Sequence, residues 1–290
     1  MERRAFLRGA TAVTVTAAAT ALPLSAAKAQ PISAQGTHNW MSRFPGATLL
    51  RNLTIPGTHD SGARFGSVWH QCQGMTITQQ LNAGIRFLDI RCRAIDGVFA
   101  IHHGNAFQNA MFGNVLSECW DFLKANPGET VLMRVKQEYS EESDAVFGAI
   151  FEKYYQDWKA ILRVGNGLPP LGTARGKVVI LGDNGGIRGV RYGDSSLFDI
   201  QDDWNALGAT KSDLIKNHLR KARNQPGKLF INYVSSAAWN GTPSGHASSL
   251  NHVLNGVLTG EAASWRALGA IMMDYPENKP DLIQNIINRN

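Results

Sequence analysis

Cysteine is scarce in this chain: three residues in 290, Cys72, Cys92 and Cys119. An odd set without C-x-x-C spacing argues against a zinc ribbon and against a disulfide scaffold. One disulfide is possible after export, and spacing does not choose the pair. Cys92 falls inside a strand-like run beside Arg91 and reads as a packed thiol rather than a reactive one. A dense basic run is also missing, which removes the usual footprint of nucleic-acid binding. No G-x-G-x-x-G follows a first strand, so a dinucleotide fold loses its main signature. Beyond residue 29 there is no apolar run long enough to span a bilayer. Internal repeats and low-complexity tracts are absent, and one domain is expected.

The first 29 residues read as an export signal. Arg3-Arg4 forms a twin-arginine pattern, an Ala/Thr/Val-rich stretch follows from Ala10, and Ala27-Lys28-Ala29 is a small-x-small cleavage site. A retained membrane anchor is the weaker reading, because Thr and Ala dilute the apolar run. The mature protein would be residues 30–290, secreted to the periplasm or the exterior. The leader holds four basic residues and one acidic. Of 29 basic and 23 acidic residues in all, 25 and 22 therefore remain, and a net +6 becomes +3. That excess mildly favours approach to an anionic surface and does little more.

Strand-like runs occur at 49–55, 86–92, 98–103, 131–136, 177–181, 229–234 and 270–275. Between them lie helical patterns at 77–83, 115–125, 143–161, 213–223 and 280–287. Alternation of this kind predicts an α/β fold with a largely parallel sheet. Seven or eight strands in about 250 residues suit a single distorted (β/α)8 barrel of the TIM type, with a doubly wound sheet as the rival. The Gly-rich stretch 182–200 reads as a loop over the barrel mouth.

Catalytic groups in such barrels project from the carboxyl ends of strands. Three of the runs end in groups of that kind. Leu53-Thr54-Ile55-Pro56-Gly57-Thr58 leads into His59 and Asp60, Asp89-Ile90-Arg91 ends the second run, and His102-His103-Gly104 ends the third. Asp89 and Arg91 are two apart and share a face. A structural Asp–Arg bridge explains that pair alone, but not two histidines at comparable positions. Of the adjacent histidines, His103, beside the turn glycine, is assigned to the mouth and His102 to packing or solvent. Neighbours on a strand diverge, so the pair is poor metal-ligand spacing. Asp274 ends the last apolar run. In a closed barrel the last strand lies against the first, which brings Asp274 to His59 as an orienting partner. A turn cap before Pro276 is its competing role. Two histidines, an arginine and several carboxylates suit phosphodiester cleavage without a metal.

Taken in order, these motifs resemble bacterial phosphatidylinositol-specific phospholipase C. The resemblance runs through Ile55-Pro56-Gly57-Thr58-His59-Asp60-Ser61, Leu88-Asp89-Ile90-Arg91, His102-His103-Gly104, Asn126-Pro127-x-Glu129-Thr130, Ala174-Arg175-Gly176-Lys177 and Met273-Asp274-Tyr275, nearly the whole mature chain. It implies a distorted barrel that releases diacylglycerol and inositol 1,2-cyclic phosphate, with no cofactor. His59 would be the base, Asp274 its partner, Arg91 the phosphate ligand and His103 the acid, supported by Asp60 and Asp89. An arginine at 91 resembles the metal-independent branch; a calcium-dependent branch carries a carboxylate there. Lys136 and Asp202 match inositol contacts.

Two positions depart from the family pattern. Asp183 stands where an arginine reads inositol hydroxyls, with Arg188 expected to compensate from the following loop. Trp204 stands where a tyrosine stacks on the ring. Trp239, in a Ser/Gly-rich loop, resembles a rim tryptophan that enters the lipid interface; packing over the last helices is its alternative. The expected partners are a phosphatidylinositol-type lipid and a membrane surface, and the expected state is a monomer. The competing functions are a phosphodiesterase of the same fold acting on another inositol or glycerol phosphodiester, and a non-catalytic headgroup-binding module.

Overall fold

The computed structural model describes residues 36–225, 227–237 and 241–290. The expected leader, residues 1–29, and the expected rim residue Trp239 lie outside them. After two 3₁₀ turns the chain enters strand β1 (Thr54–Thr58), followed by helix α1 (Ile77–Ala83) and strands β2 (Phe87–Ile95), β3 (Val98–His103) and β4 (Ala106–Met111). Helix α2 (Phe112–Ala125), β5 (Val131–Gln137), α3 (Asp144–Trp158), β6 (Leu162–Arg163), α4 (Leu171–Ala174), β7 (Val178–Asp183) and β8 (Val190–Arg191) come next. The remainder is β9 (Phe198–Gln201), α5 (Gly208–Asn224), β10 (Leu229–Tyr233), α6 (Pro243–Thr259), β11 (Gly269–Met273) and α7 (Leu282–Ile287). No helix of the described residues is long and apolar enough to cross a membrane.

The parallel strands run in the order β6-β7-β5-β2-β1-β11-β10-β9. The sheet curls into a barrel, but among the described residues no ladder joins β9 to β6 or β8. The α/β barrel class expected from the sequence therefore holds, with an open seam. Three details differ from the sequence reading. Residues 50–52 form a 3₁₀ turn, so the first strand starts only at Thr54. The stretch 182–200 contains β8 and the start of β9. And β3 is not a barrel strand: it pairs antiparallel with β2, Cys92 opposite Ile101, and with β4. The nine-residue β2 overruns the mouth, and β3 carries the chain back to it.

The period-2 pattern sorts side chains into two cores. Leu88, Ile90, Cys92, Val131, Met133 and Val135 face the helices. Ile55, Phe87, Leu132, Val179, Leu229, Ile231 and Met272 fill the barrel. Burial of such side chains contributes roughly 1.5–3 kcal/mol each. Gly57 is required where β1 crosses this interior, since a Cβ there would lie 2.5 Å from the Met272 sulfur. Helix α1 begins with a capping box, Thr76 and Gln79 each accepting the other's backbone N–H. All three cysteines are buried free thiols, so the disulfide considered above is not made.

Polar residues close the amino-terminal end of the barrel. The Arg86 guanidinium donates to Glu129 across a fully buried 2.8 Å pair, and Glu129 also accepts the backbone N–H groups of Met41 and Ser42. Arg175 donates to the carbonyls of Gly128 and Phe44. The motif residues around Glu129 and Arg175 thus tie the base together, far along the strands from the chemistry.

Candidate active site

The same alternation that fills the barrel base with apolar groups puts ionisable ones higher up the same lanes. Above Phe87 come Asp89 and Arg91. Above Leu132 come Arg134 and Lys136, and above Val179 come Leu181 and Asp183. Asp89 pairs in register with Arg134, and Arg91 with Lys136. A cavity of about 350 Å³ opens over them, lined by His59, Arg91, His103, Lys136, Asp202 and Trp204 among others.

His59 is placed by the pairing of β1 with β11. Its N–H donates to the Met273 carbonyl, and the Gln73 amide bridges the carbonyls of both residues. The imidazole Nδ1 lies 2.9 Å from Asp274 Oδ1, and Nε2 lies 2.6 Å from Arg91 Nη2. A guanidinium only donates, so Nε2 holds a lone pair and Nδ1–H donates to the carboxylate. Burial opposes charge on His59, but Asp274 outweighs it and its pKa is raised.

Arg91 is the hub. Its Nε is 3.5 Å from Asp60, its Nη2 3.5 Å from Asp89, and its Nη1 3.8 Å from Glu138. The two buried aspartates nevertheless differ. Burial pushes against ionisation of Asp89, but Arg134 (3.3 Å) and Arg91 win, assisted by His59 and the Asp60 N–H, and hold it far below the usual carboxylate range. Asp60 has the weaker counter-charges of Arg91 and His103, so burial prevails and its pKa is raised. Neither Asp60 oxygen makes a hydrogen bond, and its φ of 38° is one that a non-glycine residue rarely adopts.

His103 reaches the mouth at the end of β3, where Gly104 turns the chain at φ 53°. Its Nδ1 donates to the His70 carbonyl at 2.9 Å and stands 3.6 Å from Asp60. That leaves Nε2 as the nitrogen available for proton transfer. His102 points away and stacks on the Tyr139 ring, 10° from parallel. Cys72 lines the cavity 3.8 Å from His103. Burial, reinforced by Asp274 and Asp60, lifts its thiol well above the ordinary range, which favours the protonated form.

The structure also brings Lys136, Asp202 and Trp204 to the cavity; Trp204 is 53 % exposed. It corrects two other expectations. Arg188 lies outside, bonded to Glu152 of α3 at 3.1 Å and resting on the Tyr155 ring, so it cannot compensate at the pocket. Asp183 is ion-paired through one of its carboxylate oxygens, Oδ2. Arg134 Nη2 and Nε hold it at 2.5 and 2.9 Å. Arg134 also donates to Tyr233 Oη and lies over the Tyr192 ring. The missing arginine of β7 is thus answered by one on the adjacent β5, and the pair is neutral. Sequence reasoning missed Arg134 and also Glu138, which accepts the Gly104 N–H and lies 3.6 Å from Lys136. The signal was there, since Arg134 and Lys136 share one face of β5 and Glu138 follows the strand's end in the same alternation. The exposed Val68 and Trp69 were missed too. Their loop packs on the β3–β4 hairpin through Gln108, which accepts the N–H groups of Arg64 and Phe65.

Comparison with known proteins places this arrangement. Residues 50–184 match the family model "Phosphatidylinositol-specific phospholipase C, X domain". The 1-phosphatidylinositol phosphodiesterase of Listeria monocytogenes is 35 % identical over 281 residues, 88 % of this chain and 85 % of that protein. The enzyme of the same name from Staphylococcus aureus strain Newman is 28 % identical over 87 % of this chain and 94 % of its own length. Among solved structures, phosphatidylinositol-specific phospholipase C from L. monocytogenes superposes with a TM-score of 0.80, at 33 % identity, over 88 % of this chain and 99 % of that one. A pentafluoro-Phe-containing form of the S. aureus enzyme gives 0.78 at 25 % identity, over 88 % and 98 %. The chain belongs to the phosphatidylinositol-specific phospholipase C family.

Proposed function

We propose that this chain cleaves phosphatidylinositol to diacylglycerol and inositol 1,2-cyclic phosphate by general acid–base catalysis that needs no metal. The observation that carries the reading is the two-sided hold on His59. Asp274 accepts the hydrogen bond from Nδ1–H and an arginine faces the lone pair at Nε2. A phosphodiester bound to Arg91 would draw the guanidinium onto its non-bridging oxygen and leave Nε2 to the inositol 2-hydroxyl. Nε2 accepts that proton as the hydroxyl oxygen bonds to phosphorus. The bond from phosphorus to the glycerol oxygen breaks, and His103 Nε2 returns a proton to it. Arg91 neutralises charge on the phosphoryl oxygens, the role a cation would otherwise fill.

Lys136 and Asp202 supply polar contacts to the ring hydroxyls, and the exposed Trp204 face stacks on the ring. Because Arg134 neutralises Asp183, we read the headgroup pocket as altered in layout yet still directed to inositol. The second reading, another inositol phosphodiester on the same site, rests on that same substitution. We further take the mature protein to be an exported monomer that works at a lipid surface, with Val68 and Trp69 beside the mouth as apolar contacts. The test is product analysis by ³¹P NMR on phosphatidylinositol vesicles, with and without chelator. Cyclic phosphate formed at an unchanged rate in chelator is expected. A linear phosphate as first product, or activity restored only by calcium, refutes the reading.

A further inference from the structure

Cys72 sits between the two histidine arms of the site, a buried free thiol at the floor of the cavity. Its sulfur forms two potential ligand groups, one with Asp60 and His103 and the other with His59 and Asp274, the donor atoms of each lying within 4.8 Å of one another. Metal geometry separates them. Bonds of about 2.0–2.3 Å in a tetrahedral zinc site put neighbouring donors roughly 3.3–3.6 Å apart. In the second group His59 Nδ1 and Asp274 Oδ1 are only 2.9 Å apart, a hydrogen bond that leaves no room for an ion. In the first, Cys72 Sγ and His103 Nδ1 are 3.8 Å apart, and His103 Nδ1 and Asp60 Oδ2 3.6 Å, within a few tenths of an ångström of the tetrahedral edges. Asp60 adds a separate observation: it is fully buried and neither oxygen is hydrogen-bonded, its charge being met by Arg91 at 3.5 Å.

We infer that Cys72, His103 and Asp60 form an inhibitory site for a thiophilic divalent cation such as zinc. Binding releases one proton, from the thiol. His103 stays neutral by moving its proton from Nδ1 to Nε2, which gives up the bond to the His70 carbonyl. One thiolate and one carboxylate neutralise the dication, but Asp60 already serves as a counter-ion of Arg91, so loading raises the local charge by one, the ion's two charges less the released proton. With Nδ1 on the metal, the ring cannot become the imidazolium that protonates a leaving oxygen. The inhibition rests on the acid role given to His103 above; the binding does not.

Cobalt(II) is the probe for binding. The metal-free full-length protein titrated with it is expected to show a thiolate-to-cobalt charge-transfer band saturating at one equivalent, and zinc should displace it. Cys92 and Cys119 lie in the hydrophobic core and supply no such ligand set, so Cys72→Ser and Cys72→Ala should both abolish the band. In parallel, zinc should suppress cleavage of phosphatidylinositol by the wild type at least tenfold at saturation, reversed by chelator. Both variants should keep metal-free activity and need over 100-fold more zinc, since even outer partners of a metal are worth roughly 10–100-fold. No cobalt band in the wild type, or a band that survives both substitutions, overturns the site. A Cys72-dependent band without loss of activity overturns the inhibition. Absence of any cleavage by the metal-free protein would count against the proposed function and leave the cobalt result standing.

Discussion

Replacing Asp274 with Asn removes one charge from a buried carboxylate and almost no volume, so the fold should survive and the chemistry should not. The carboxylate lies 2.9 Å from His59 Nδ1. At an effective dielectric near 20, a full charge pair at that distance attracts by about 6 kcal/mol. Arg91, 2.6 Å from the opposite nitrogen, cancels part of this when the ring becomes cationic. What remains should lie within the roughly 10²–10⁴-fold range of a lost proton-transfer partner, about 2.7–5.4 kcal/mol of barrier. The pH profile gives a second readout. A general base works only when unprotonated, and Asp274 raises the His59 pKa, so Asn should move the acidic limb of kcat/KM to lower pH. Steady-state rates on phosphatidylinositol in mixed micelles between about pH 4 and 9, with thermal melts on the same samples, make the test. A variant within threefold of wild type, or an acidic limb that stays in place, would show that Asp274 is a turn cap and not the partner of a base.

Arg91→Lys should lower kcat far more than it lowers Tm, because an ammonium cannot reproduce a two-point hold on a phosphoryl group; an easily unfolded variant with full specific activity would mark a structural bridge instead. Trp69→Ala should weaken vesicle binding by about ten- to a hundredfold, the value of one buried aromatic, while hydrolysis of soluble inositol cyclic phosphate is unchanged; equal loss on both substrates would contradict this. Glu129→Ala strands the buried Arg86 charge and should cost about 3–5 kcal/mol of stability, read by urea denaturation, with kcat of the folded fraction intact. Asp89 has its pKa depressed in the folded state, so its contribution to stability is present above the unfolded value near 3.9 and is lost as pH falls through the folded one. Asp89→Asn should therefore flatten the acidic limb of Tm against pH, and an unchanged limb would refute the assignment.

Much of this molecule could be read from the chain because the forces concerned are local. Period-2 alternation alone sets Asp89 and Arg91 on one face and Leu88 and Ile90 on the other, and the structure has them so. The 77–83 helix is bounded by its own capping box. Even the approach of Asp274 to His59 follows from barrel order, since the last strand of a right-handed β/α wind comes to rest beside the first. Helix α6 escaped notice because Ser, Gly and Asn dilute its stripe of Ala247, Leu250, Leu254 and Leu258.

Other features depend on register between strands that are distant in sequence. Arg134 and Asp183 are 49 residues apart and meet because β5 and β7 are neighbours in a particular alignment. Nothing in either segment indicates that Arg188 turns instead to Glu152 on α3. The antiparallel return of β3 brings His103 within reach of Asp60 and Cys72, which no alternation rule contains. The sequence by itself determined which side chains of the main strands face inward and the order in which those strands alternate with helices, but not the later start of β1, helix α6 or the short strands β4, β6, β8 and β9. The tertiary structure alone decided which of those inward groups share a charge, because a buried ion pair forms only where register, not pattern, puts donor and acceptor within about 3 Å.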